Sequence, residues 1–145
     1  MIIEDKLMKY VIFKKRTEYE VIQKCKLLKY EEEKIEEIIE YLKENEYIND
    51  ENYIERYIQN IMRLKQCSIN EIKIDLLRRG IDDNLIEKYI NEELEEFETN
   101  SAQILASKKY KTMEKEKIKK YLLNKGFSYS NVTKAIDNLQ DMIDN

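Results

Sequence analysis

Proline, histidine and tryptophan are absent from this 145-residue chain, and glycine and cysteine each occur only twice. Without proline, and almost without glycine, the chain lacks the residues that tight hairpin turns require, which leaves little room for strands and favours helix. Without histidine it lacks the most common general acid–base group and the usual partner of cysteine in zinc sites. Cys25 and Cys67 have no CxxC neighbour and form no disulfide framework; both are expected to be reduced thiols packed as small core residues in a cytosolic protein. No apolar run approaches the ~20 residues of a membrane span. The opening MIIEDKLMKY, with its early acidic pair, does not read as a secretory signal, so the expected location is cytoplasmic. There is no nucleophile elbow, dinucleotide motif, phosphate loop or metal motif. The expectation is therefore a protein that is not an enzyme and has no cofactor and no metal.

What is present is a mixture rich in Lys, Glu, Ile and Leu, 39% charged, with a net charge of −4. The two glycines stand in the same local pattern, LLRRGID (76–82) and LLNKGFS (122–128). Extending outward, EIKIDLLRRGIDDNLIEKYI (71–90) aligns with KIKKYLLNKGFSYSNVTKAI (117–136) without a gap, and EVIQKCKLLKYEEEKIEEII (20–39) falls into the same frame. Apolar positions coincide at Val21/Ile72/Ile118, Cys25/Leu76/Leu122, Tyr30/Ile81/Phe127, Ile35/Ile86/Val132 and Ile39/Ile90/Ile136. Self-similarity at a spacing of about 50 residues marks stacked helical units.

Each copy reads as two helices joined by a corner. Gly80 and Gly126 adopt the left-handed conformation that ends the first helix, the following Ile81 or Phe127 folds back on it, and Asp82 or Ser128 caps the next. The first copy has Lys29 where the others have glycine, which predicts a strained corner. Thr17-x-x-Glu20 and Ser68-x-x-Glu71 are capping boxes. A further helix precedes each pair: residues 51–64, capped by Asn49 or Asp50, and more weakly 5–14 and 99–110. The expected fold is all-α, about nine helices in three tandem three-helix repeats (1–48, 49–97, 98–145), forming an elongated, curved molecule.

Charge is segregated. Residues 31–51 carry ten acids against Lys34 and Lys43, while residues 108–125 carry eight lysines against Glu114 and Glu116. Such runs are either solvated helix faces or a polarised surface whose C-terminal unit meets acidic protein or phosphate. The candidate contact residues are Arg78, Arg79, Lys108, Lys109, Lys117 and Lys120. For Arg78 and Arg79, stabilisation of their own helix end is the competing reading. Among eleven tyrosines, Tyr57 and Tyr89 sit at core spacing, whereas Tyr47 lies between helices as a candidate interface anchor.

The stretch YLKENEYINDENYIERYIQ (41–59), followed by INEIKIDLLRRGIDDNLIEKYI (69–90), resembles the core of the RecX family of regulators of the RecA recombinase. The matching features are Leu42, the Tyr47-Ile48-x-Asp50 junction, Tyr57, and the Leu76-x-x-x-Gly80-Ile81 corner, together with YLLNKGFS (121–128). Glu46 stands where the family pattern has glycine. The resemblance implies a non-catalytic modulator that lies in the groove of the RecA–single-stranded DNA filament and limits its growth, ATP hydrolysis and strand exchange. It implies possible weak contact with single-stranded DNA, no membrane, and a monomer. The residues also suit a helix-turn-helix-type DNA-binding protein, favoured by the lysine cluster and Arg78-Arg79 and opposed by the net acidity.

Overall fold

Hydroxyl and amide side chains start helices as the sequence predicts, among them Ser128, which accepts the Asn131 N–H at 3.2 Å. Thr17 and Ser68 each accept the N–H of the residue three further on and complete capping boxes, and Asn49 accepts the N–H of Asn52. Asn49, not Asp50, is therefore the cap of its helix. The computed structural model describes residues 2–144. It contains α1 (Asp5–Phe13), α2 (Glu18–Leu27), α3 (Glu32–Glu44), α4 (Asp50–Leu64), α5 (Ile69–Arg78), α6 (Asp83–Glu87), α7 (Glu92–Lys109), α8 (Lys115–Asn124) and α9 (Tyr129–Asp144), and no strand among the described residues. The surface of 9834 Å² exceeds the roughly 7,900 Å² of a compact monomer of this mass, as an elongated chain requires.

The aligned apolar positions are the core positions. Val21, Ile72 and Ile118 are buried, as are Cys25, Leu76 and Leu122, each triplet divided among three separate hydrophobic clusters. Cys67, expected in a connection, is also buried in the middle cluster. The third helix of the middle repeat is only five residues long, and α7 begins at Glu92 instead of near 99. Asn91 caps it by accepting the Leu94 N–H, and the acids Glu92, Glu93 and Glu95 suit the positive end of the helix dipole. As a result α7 runs through 97/98: Leu94 and Phe97 pack in the middle cluster, Ala102 and Ala106 in the third.

Four helix ends share one hydrogen-bond pattern. The N–H groups of Tyr30, Tyr47, Ile81 and Phe127 reach back to the carbonyls of Cys25, Leu42, Leu76 and Leu122, the Schellman arrangement. The residue before each lies at positive φ: Lys29 at 66°, Glu46 at 59°, Gly80 at 81° and Gly126 at 93°. Why are only two of the four glycine? The N-cap hydroxyls supply the answer. Thr17 Oγ1 donates to the Arg79 carbonyl at 2.7 Å, and Ser68 Oγ donates to the Lys125 carbonyl at 2.8 Å. Each helix start thus docks on the glycine corner of the next unit. A Cβ on Gly80 would fall 2.1 Å from Tyr19 Cγ, and one on Gly126 2.9 Å from Asn70 Cβ. Tyr19 and Asn70 both lie two residues after their caps. Glycine is needed where a corner is both left-handed and covered. At Lys29 and Glu46 no N-cap side chain of another unit docks on the preceding carbonyl among the described residues, so only backbone strain applies to them. Lys29→Gly is accordingly expected to raise stability by about 0.5–1 kcal/mol, read as a higher urea midpoint at unchanged slope.

The first joint has a second bond. Asp50 Oδ1 accepts the Glu18 N–H at 2.9 Å. Partial burial raises the Asp50 carboxyl above its ordinary pKa, and the Glu18 carboxylate adds to this while the Glu18 N–H opposes it. A carboxyl with a raised folded pKa holds its proton more tightly when folded, so stability falls as pH rises through that range. Asp50→Asn keeps the acceptor without the charge. It should melt no lower than the parent at neutral pH, with any advantage disappearing as the pH is lowered to about 3, where Asp50 is itself protonated. The second joint is bridged from within: buried Glu98 accepts the Ile69 N–H at 3.0 Å and the Asn131 side-chain amide at 2.5 Å.

Candidate functional site

The connection between α1 and α2 is Lys14-Lys15-Arg16, and the fold lays it against α4. There Tyr53, Arg56 and Tyr57 share a face through their i, i+3 and i+4 spacing. A cleft of about 220 Å³ is lined by Lys14, Lys15, Tyr53, Arg56, Tyr57, Asn60 and Arg79. Beside it lies a shallow hollow lined by Lys15, Arg16, Tyr47, Asn52, Tyr53 and Arg56, among others. A third hollow of about 350 Å³ shares Tyr57 and adds Lys65, Cys67 and Arg78. Together they make a tyrosine-lined face across the first joint on which cations outnumber the acids Glu46, Glu71 and Asp75.

Arg79 is the fixed element of this face. Its guanidinium donates to the Tyr53 hydroxyl, pairs with Asp75 at 3.4 Å and lies 5.1 Å from the Tyr57 ring centroid. Tyr57 donates its hydroxyl to Asp75, and burial with that carboxylate pushes the phenol far above its ordinary pKa. Arg16 stacks on the Tyr10 ring at 3.7 Å and donates Nε to the Tyr10 carbonyl at 3.0 Å. Lys14, Lys15 and Arg56 are exposed and have no ion pair among the described residues. Cations beside tyrosine faces suit phosphodiesters, carboxylates and stacked bases.

Elsewhere the chemistry is quiet. Burial pushes the Cys67 thiol up to about 11, so it stays protonated at neutral pH. Among the described residues no cluster of His, Cys, Asp or Glu could hold a metal ion, and no helix is long and apolar enough to cross a membrane.

The chain matches no family model. It is 38% identical over 124 residues to Regulatory protein RecX of Clostridium perfringens strain 13, an alignment covering 79% of this chain and 57% of the relative. The Regulatory protein RecX of Caldanaerobacter subterraneus is 35% identical over 127 residues, 83% of this chain and 62% of the relative. The crystal structure of RecX from Lactobacillus salivarius superposes with a TM-score of 0.85 at 32% identity, over 94% of this chain and 93% of that one. The chain belongs to the RecX family. It spans somewhat more than half the length of the curated RecX relatives just described. Those relatives are regulatory proteins by name, and the all-helical repeat fold expected from the sequence is the RecX fold.

In this RecX chain the candidate residues from the sequence fall into two groups. Arg78, Arg79 and Tyr47 lie on the basic face, Arg78 exposed and Tyr47 39% exposed. Arg79 is half-buried and held by its own unit, so it does not project freely from its corner. Lys108, Lys117 and Lys120 are exposed on α7 and α8, and Lys109 lies 4.7 Å from the Tyr121 ring, which Lys125 approaches to 5.5 Å. The sequence reading missed Lys14, Lys15, Arg16, Tyr53 and Arg56. The available signals were the Lys-Lys-Arg run directly before the Thr17 capping box and the Tyr53-x-x-Arg56-Tyr57 spacing.

Proposed function

We propose that this protein is a non-catalytic regulator that lies in the groove of the RecA–single-stranded DNA filament and limits filament growth, ATP hydrolysis and strand exchange. The observation that carries this reading is membership of the RecX family together with an elongated three-cluster body bearing a continuous basic, tyrosine-lined face. An elongated body reaches more than one protomer, and several weak contacts on one rigid body reinforce each other through effective concentration. Cations of the face pair with protein carboxylates or with phosphates inside the groove. RecA is the partner; contact with single-stranded DNA is secondary, and the protein is a monomer when free in the cytoplasm. The test is the ATPase rate of RecA on single-stranded DNA, which should fall as the protein is added and recover as salt weakens the contact. An unchanged rate at several-fold molar excess removes the proposal. Tight, sequence-dependent duplex binding with a steep salt slope would replace it with a helix-turn-helix-type DNA-binding reading.

A further inference from the structure

The acidic and lysine-rich helices stand in unlike surroundings. α3 exposes Glu36, Glu40 and Glu44 at four-residue spacing on one face. With Ile22, Ile35 and Ile39 they border a groove of about 350 Å³ on α2 and α3, whose remaining lining includes Glu18 and Lys43. Lys43 is already paired with Glu18 at 3.6 Å, and Lys34 with Glu37 at 3.7 Å. Glu36, Glu40 and Glu44 therefore have no ion-pair partner among the described residues. On α8, Lys117, Lys120 and Leu123 are exposed within about a third of the helix circumference, a face that also carries the exposed Glu116. Those two lysines also have no ion pair among the described residues. α3 packs on α2, while α8 packs on α7 and α9, so acid and base do not meet within one chain.

We propose that the α2–α3 groove of one copy receives α8 of a second copy. Leu123 enters the isoleucine floor, and Lys117 and Lys120 pair with the carboxylates of α3. The groove is apolar below and acidic at the rim; α8 offers Leu123 beside two cations and one acid, Glu116, so the charges are complementary at Lys117 and Lys120. The internal stacking joint does not carry this contact. The first unit's corner is closed by Lys29 in place of glycine, and Glu114, the residue before α8, makes no side-chain cap. The contact is heterologous, leaving a free groove at one end and a free α8 at the other, so copies add in an open row. A contact one helix wide lies well below the ~800 Å² per partner of stable interfaces, so it is weak between free molecules and matters where copies are held side by side.

The test uses the full chain alone and does not depend on the RecA reading. In sedimentation velocity at about 20 mM salt, average mass should rise with concentration past the dimer, and should fall back when salt is raised to about 300 mM. Glu36→Lys with Glu40→Lys, or Lys117→Glu with Lys120→Glu, should each weaken association at least tenfold. An equimolar mixture of the two double variants should restore it, because each supplies the other's complement. A wild-type chain that stays monomeric at millimolar concentration overturns the proposal, as does a mixture that fails to associate. So does a groove that binds a lysine-rich amphipathic peptide while the chain itself remains monomeric.

Discussion

Gly80→Val is expected to lower the melting temperature by roughly 10 °C. Two costs add at this position. At φ 81° a β-branched residue is strained by about 1–3 kcal/mol. Its Cβ would also lie 2.1–2.5 Å from Tyr19 Cγ, Cβ and Cδ1, atoms near the root of that side chain, so turning the distal ring does not clear them. Either α2 retreats, breaking the Thr17–Arg79 hydrogen bond, or Tyr19 leaves its rotamer. Gly126→Val should cost less, since its nearest approaches are longer, 2.9 Å to Asn70 Cβ and Nδ2 and 3.2 Å to the Ser68 hydroxyl, against 2.1 Å at Gly80. Combining Gly80→Ala with Tyr19→Ala separates the two costs. The pair should recover the steric part and leave about 1 kcal/mol of backbone strain. A Gly80→Ala protein that melts with the parent would show that the corner is neither left-handed nor covered.

What could be read from the sequence was local. Capping boxes, helix ends and the alternation that buries Ile72 and Leu76 depend on residues within a few positions of each other, so pattern and propensity suffice. The glycines were recognisable as corners for the same reason. Their second role, admitting Tyr19 and Asn70, is a contact over more than 50 residues that leaves no local mark. Glu98 makes the point more sharply. In EELEEFETN it looks like one more surface acid, yet it is buried, and its two oxygens join α5 to α9. The α7 start shows competition between signals: the repeat frame pointed to 99, but Asn91 and the acids after it extend the helix back to 92. The candidate site divides in the same way. Eight lysines in 108–125 are visible as a density along the chain. The face formed by Lys14, Lys15, Arg56 and Arg79 is assembled from three segments and exists only after folding.

That difference sets up the second large effect. Lys14→Glu with Lys15→Glu and Arg56→Glu should raise the protein concentration needed for half-inhibition of the RecA filament ATPase at least tenfold, with the melting temperature within about 2 °C of the parent. A tenfold loss corresponds to about 1.4 kcal/mol, modest for reversing three charges that face a partner. None of the three has an ion pair to lose among the described residues, so the fold should be indifferent. The variant should also show a flatter dependence on salt, because fewer of its contacts are charge pairs. Arg79→Glu behaves differently. It breaks the bonds to Tyr53 and Asp75 and sets a second carboxylate beside Asp75, so stability falls along with inhibition. Arg78→Glu, at an exposed residue with no ion pair among the described residues, reports on the face without that complication. If the triple variant inhibits like the parent while Lys108→Glu with Lys117→Glu and Lys120→Glu does not, the filament is met by the third unit, and the basic face at the first joint serves only to hold two units together.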